Sequence, residues 1–233
     1  IYPTSTQTFT VTSTLDDGSS GTLRWAINQA NTYSCSQDVI EFNIAGGGVK
    51  TITLGSALPD ITDDDGLTIN GYSQPLTSVN TNTTGALNST LLIEITGPTV
   101  ATALTVESSN NVIKGLVFKD FTFTAIRLNT GSNQVLGCYI GMDYLGTTAS
   151  GINTSYGVYI NNVSGNTIGD GTDAGRNLIS GLKSAAGSGI YLTGASISGN
   201  IIKGNIIGLQ KDGVTIPASN QGTGINITEG TTT

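Results

Sequence analysis

Asn133-Gln-Val-Leu-Gly-Cys-Tyr-Ile-Gly141 and Asn200-Ile-Ile-Lys-Gly-Asn-Ile-Ile-Gly208 are the two stretches on which the fold of this chain turns. They match at an offset of 67 residues, and the offset persists without a gap: Gly146 falls on Gly213, Asn153 on Asn220, Gly157 on Gly224 and Ile160 on Ile227. A shorter unit lies inside the long one. Ala103-Leu-Thr-Val106, Ala125-Ile-Arg-Leu128, Gly157-Val-Tyr-Ile160, Gly189-Ile-Tyr-Leu192 and Gly224-Ile-Asn-Ile227 share one form, a small residue followed by apolar, variable, apolar. Asn111, Asn133, Asn166 and Asn200 each open a second apolar strand after the first four of these units, and a third strand follows, as at Tyr139–Gly141 and Ile206–Gly208.

The units begin at 103, 125, 157, 189 and 224, so their spacings are 22, 32, 32 and 35. We read 22 as the bare repeat and the excess as inserted loops. Three short strands per repeat of about 22 residues predict a parallel β-helix, in which each strand pairs with its equivalent one turn away, ~4.8 Å along the axis. Gly and Asn suit the corners because they tolerate left-handed backbone, and a stacked Asn amide can bond to the neighbouring turn. An antiparallel sandwich has no reason to repeat at 22 and 67.

Upstream of residue 103, short runs rich in Val, Ile, Leu and Thr recur at Thr8–Thr12, Val39–Ile44, Thr51–Leu54, Leu67–Ile69 and Leu91–Ile95, each bounded by turn residues. One segment, Thr22–Asn31, reads as a helix, because Leu23, Ala26, Ile27 and Ala30 share a face. The expectation is an all-β chain: a single-stranded right-handed parallel β-helix with one short N-terminal amphipathic capping helix. It forms one domain over 1–233, with the opening strand and cap in 1–45, the repeats in 46–228 and a Thr-rich tail at 229–233.

Composition narrows the function. The 233 residues include no His, and 9 Lys+Arg against 16 Asp+Glu leave a net charge of −7. A chain this acidic lacks the basic face that nucleic acid requires. Without His there is no Ser-His-Asp or Cys-His catalysis and no His-ligated zinc. No apolar run approaches the ~18 residues of a membrane span. Only 11% of residues are charged. In a parallel stack like charges would sit ~4.8 Å apart along each ladder and repel, which favours Thr, Ser and Asn outside.

Several segments carry a resemblance. Phe9–Gly18, Gly21-Thr-Leu-Arg-Trp-Ala-Ile-Asn-Gln-Ala-Asn31, Asp38-Val-Ile-Glu-Phe-Asn-Ile44, Ala57–Thr62, Ile69-Asn-Gly-Tyr-Ser-Gln-Pro75 and Ala174–Gly181 resemble the large secreted right-handed β-helix repeat proteins of the pectin-lyase-like fold. The resemblance implies that the opening strand and helix cap the first coil, and it implies an extracellular or cell-surface location. The fold hosts enzymes, adhesins and filament parts alike, so activity has to be argued from sites.

Hydrolysis of a polysaccharide would need a carboxylate pair across a groove, and elimination a Lys or Arg base near a calcium-binding acid cluster. Asp63, Asp64 and Asp65 form the densest acid run, but three consecutive Asp in an extended strand cannot all face one ion, and a solvated turn is the plainer reading. Asp16-Asp17-Gly18 reads as the turn into the helix. Arg127 is either a groove base or a solvent-facing side chain, and Asp173 and Arg176 are placed to pair at the neck of a Gly-rich insertion. Tyr144 and Tyr156, beside loops 142–153 and 209–220, are candidates for stacking on sugars. No constellation meets the requirements of catalysis, and no cofactor is expected.

Cys35 and Cys138 are candidates for one disulfide, an option that suits an extracellular protein but that spacing alone leaves open. Asn82, Asn88 and Asn153 are Asn-x-Ser/Thr sequons in loops and candidates for glycosylation. An ice-binding Thr array is unsupported, since outward positions read Glu94, Glu107, Arg127 and Tyr159. The unit at Gly224 supplies one strand before Glu229-Gly-Thr-Thr-Thr233, so its second and third strands are missing. The expected function is a non-catalytic structural or adhesion module, of a cell surface or a filament, completed by a longer parent chain or by end-to-end self-association. The alternative is a protein that binds or cleaves polysaccharide.

Overall fold

The computed structural model describes residues 5–33, 36–152 and 154–228. Cys35, Asn153 and the tail at 229–233 lie outside these residues.

Three parallel sheets carry the chain. The first orders Thr8–Val11, Asp38–Phe42, Leu67–Asn70, Val112–Lys114, Gln134–Leu136, Thr167–Asp170 and Ile201–Lys203. The second orders Lys50–Thr53, Ile93–Thr96, Val117–Lys119, Tyr139–Ile140, Leu178–Ile179 and Ile206–Ile207. The third orders Thr102–Val106, Thr124–Leu128, Thr154–Asn161, Lys183–Thr193 and Thr223–Thr228. From Asp38–Phe42 onward successive strands of the chain visit different sheets, and each pairs with its equivalent in the next repeat, a β-helix-like arrangement. The register repeats the sequence spacing: Leu104 faces Ile126, Ile126 faces Val158, Val158 faces Ile190 and Ile190 faces Ile225.

The small residue that opens the motif in the third sheet has a steric cause at Gly157. A Cβ on Gly157 would lie 2.6 Å from the Gly189 carbonyl oxygen, 3.0 Å from Ile179 and 3.2 Å from Ile140. The wall of the second sheet is too close there for a larger side chain. The two apolar positions that follow form inward ladders that belong, with the inner positions of the other sheets, to one continuous core.

Corners are built from glycine and asparagine, as the motifs predict. Gly137 has φ +61°, and a Cβ on it would meet the Tyr72 hydroxyl at 2.3 Å. At the other corner the Asn side chains run as a ladder. The backbone N–H groups of Leu67, Asn111, Asn133 and Asn166 donate to Oδ1 of Asn111, Asn133, Asn166 and Asn200, at 2.7, 2.9, 2.9 and 2.8 Å.

The helix spans Leu23–Ala30, and the Thr22 hydroxyl accepts the Trp25 N–H at its start, so a lone N-cap suffices without a capping-box acid. Leu23, Ala26, Ile27 and Ala30 are its buried stripe and join the core. Asn31 ties its end to residues 60–62: Nδ2 donates to the Asp60 carbonyl and Oδ1 accepts from Thr62. Arg24 pairs with Asp16 at 2.9 Å and donates to the carbonyls of Ser56 and Ala57. The helix therefore bridges the opening strands of the first sheet to the segment that approaches the third.

Candidate functional site

The outer faces of the three sheets differ. Over the second sheet, Leu87, Leu91, Val117, Tyr139, Met142, Leu178 and Ile206 form a separate apolar cluster. Loops 80–92, 142–149 and 209–215 cover it. Leu87 donates to the Lys211 carbonyl, Lys211 donates to that of Gly146, and Lys211 Nζ reaches the Ser89 carbonyl at 2.6 Å. Burial lowers the Lys211 pKa. Tyr144 packs against this cluster, which separates it from Tyr156.

The third sheet is where aromatic and polar side chains gather outside. Its middle outward ladder reads Thr105, Arg127, Tyr159, Tyr191, Asn226. Tyr191 stacks on Tyr156 with centroids 4.6 Å apart and planes 16° off parallel, and on Tyr159 at 5.4 Å and 20°. Phe123 meets Tyr156 and Tyr159 edge-on. The Arg127 guanidinium lies over the Tyr159 ring, 5.3 Å from its centroid. All five of these side chains are partly exposed.

A polar line runs beside the rings. Asn129 Oδ1 accepts from Arg127 Nε at 2.9 Å and from Asn161 Nδ2 at 3.0 Å, while Asn129 Nδ2 donates to Glu107. Tyr159 donates its hydroxyl to Asn161, and Thr228 donates to the Tyr191 hydroxyl at 3.0 Å. The result is a strip in which one guanidinium and one carboxylate are linked through amides, with tyrosine rings held rigidly at its centre. Such a surface offers ring edges and faces for C–H contact and fixed donors and acceptors for hydroxyls. Of the residues singled out in the sequence, Arg127 and Tyr156 come together here. Tyr159 and Tyr191 complete the strip, and the shared variable position of the small–apolar–x–apolar motif is the signal that places them on one ladder.

Other candidates lie elsewhere. Asp63 is buried while Asp64 and Asp65 are exposed, so the three carboxylates do not converge. Among the described residues no group of three or more acidic, Cys or His side chains is arranged to hold a metal ion. Burial raises the Asp63 pKa to about 6, against a bond from the Asp65 N–H that lowers it. Asp38, which the sequence reading did not single out, is also buried with its pKa raised by desolvation. Among the described residues, one oxygen of each of these two carboxylates is buried without a hydrogen-bond partner.

The pairing of Asp173 with Arg176 is corrected. Arg176 reaches away to the carbonyls of Asn82, Gly85 and Gly204, because that loop offers it fixed acceptors. Asp173 meets Thr83 instead. Asn82 and Asn88 do lie in a loop, where their side-chain amides donate to the Ala86 carbonyl and to Thr81 and Asn82 respectively. Asn153 lies outside the described residues. Cys138 is buried and joins no disulfide among the described residues; burial pushes its thiol pKa up to about 12, and its candidate partner Cys35 lies outside the described residues.

No protein-family model matches the chain, and no curated protein matches it.

Proposed function

We propose that this chain is a non-catalytic extracellular adhesion module, a right-handed parallel β-helix of the pectin-lyase-like type, that binds carbohydrate on the outer face of its third sheet. The observation that carries the reading is the Tyr156–Tyr159–Tyr191 cluster bordered by the linked Glu107, Asn129, Arg127 and Asn161. Rigid aromatic anchors beside satisfied polar groups bind with little ordering cost. Charge within the strip is balanced, which favours a neutral glycan over a polyanion. The test is binding of the purified chain to an array of neutral and acidic glycans, with Tyr191→Ala and Arg127→Met beside it. Retention on neutral glycans that either variant abolishes, with an unchanged circular-dichroism spectrum, supports the reading. Equal retention of all three proteins, or of none, sinks it.

A second reading concerns the C-terminal edge. Ile225 and Ile227 continue inward ladders that are buried in every preceding strand, yet they are 42% and 60% exposed. A neighbouring subunit would cover them and pair the edge strand. Concentration-dependent sedimentation that Ile227→Lys abolishes would support a neighbouring subunit. A monomer at every concentration would sink it.

A further inference from the structure

The outer face of the first sheet holds a cleft of ≈ 280 Å³ that the reading above does not use. Its floor is apolar, made by Leu136, Val79, Ala174 and the Tyr72 ring. Tyr72 is fixed there, since its hydroxyl donates to the Gly137 carbonyl at 3.0 Å. Its polar lining comes from Lys114, Asp170, Asn70 and Thr172.

Those polar groups have unspent capacity. Lys114 takes part in no ion pair among the described residues. Asp170 uses Oδ1 to accept from the N–H and hydroxyl of Thr172, and among the described residues no hydrogen bond is made to its Oδ2. Asn70 lines the cleft, and its Oδ1 is buried without a hydrogen-bond partner among the described residues. A buried acceptor left unpaired is costly, so it marks a place where a donor fits.

We infer that this cleft binds a free α-amino acid with an apolar side chain. The ammonium of such a ligand donates to Asp170 Oδ2, and to Asn70 Oδ1 once that amide turns toward the cleft. Its carboxylate accepts from Lys114 Nζ, and its side chain covers Leu136 and the Tyr72 ring. One cation and one anion in the lining match a zwitterion, whereas a simple carboxylate leaves Asp170 and Asn70 unanswered and a simple amine leaves Lys114 unanswered. Lys203, paired in register with Asp170 on the next strand, lies outside the lining.

The experiment is titration calorimetry of the full chain with L-leucine, with 4-methylpentanoate and with 3-methylbutylamine, repeated on Lys114→Met and Asp170→Asn. Saturable binding of leucine, weakened about tenfold or more for either single-charge analogue and for either variant, supports the site. Leucine binding by both variants at wild-type strength overturns it. So does an absence of saturable leucine binding, or binding of the carboxylate as tight as that of leucine. Circular dichroism of each variant checks that the loss is not unfolding. Neither variant touches the tyrosine strip, so glycan retention is read separately.

Discussion

Asn133 Oδ1 accepts two hydrogen bonds from Asn111, one from its backbone N–H and one from its side-chain Nδ2, both at 2.9 Å. Both residues are wholly buried. Each amide in this ladder thus does for the turn beside it what a strand does for its neighbour, and it does so at a corner where the sheet hydrogen bonds stop. Removing one rung orphans buried donors on the next.

Asn133→Ala is therefore expected to destabilise the chain by about 1–3 kcal/mol, the usual cost of buried polar groups left unpaired. The loss should be local first. Amide exchange should rise at Asn111, whose N–H loses its acceptor, before it rises in the opening strands. Unchanged protection at Asn111 would count against the ladder as a source of stability.

Asp63 makes stability depend on acidity. It is 2% exposed, and burial raises its pKa to about 6 from an ordinary 3.8. The folded state therefore holds this proton more tightly than the unfolded chain does. The corresponding stability is fully present below about pH 4 and is lost as pH rises through about 6, an effect on the order of 2 kcal/mol. Asp38 shifts in the same direction. Denaturant midpoints of wild type and Asp63→Asn between pH 4 and 7 check this: the variant should be flatter across that window and more stable at pH 7.

Much of the architecture is legible because a parallel stack must repeat its inner positions. The spacings of 22, 32, 32 and 35 in the small–apolar–x–apolar motif reappear as the register from Leu104 to Ile225. The tyrosine strip obeys the same rule, since Tyr159 and Tyr191 both occupy the x position. What repetition cannot reveal is contact between insertions. Lys211 reaches the Ser89 carbonyl across 122 residues, and Arg176 reaches Asn82 across 94, through loops that share no motif. Local proximity in sequence misdirected the pairing of Arg176 with Asp173 for that reason. The burial of Asp63 beside exposed Asp64 and Asp65 is equally invisible in a run of identical residues.

The tyrosines of the strip should titrate apart. The hydrogen bond from Thr228 lowers the Tyr191 pKa, with Thr193 adding to it, whereas burial raises that of Tyr156. Ring-carbon NMR shifts followed through alkaline pH resolve the two midpoints, Tyr191 first. Thr228→Val should move the Tyr191 midpoint upward and leave Tyr156 near its own. An unmoved Tyr191 would mean that the Thr228 contact is not made in solution.

The small position of the repeat can be tested from both sides. At Gly157 the neighbouring carbonyl oxygen of Gly189 and the methyls of Ile179 and Ile140 leave no room for a Cβ. Gly157→Ala is expected to cost about 1–3 kcal/mol through overpacking. Gly157→Val should cost more, because its branch adds two methyls against a wall that is itself core. Ala125 occupies the same ladder position one strand earlier and is already filled, so Ala125→Gly errs the other way. It should cost about 1 kcal/mol, from lost packing and added freedom of the unfolded backbone. If Gly157→Ala instead stabilises the chain, as it would where only backbone freedom mattered, then the second sheet does not set the size limit at this position. Denaturation midpoints of the three variants decide between these outcomes. Combining Gly157→Ala with Ile179→Leu removes the Cγ2 methyl nearest the new Cβ, so the pair should cost less than the sum of the two single changes, whereas a distant core change such as Ile27→Val should simply add to Gly157→Ala.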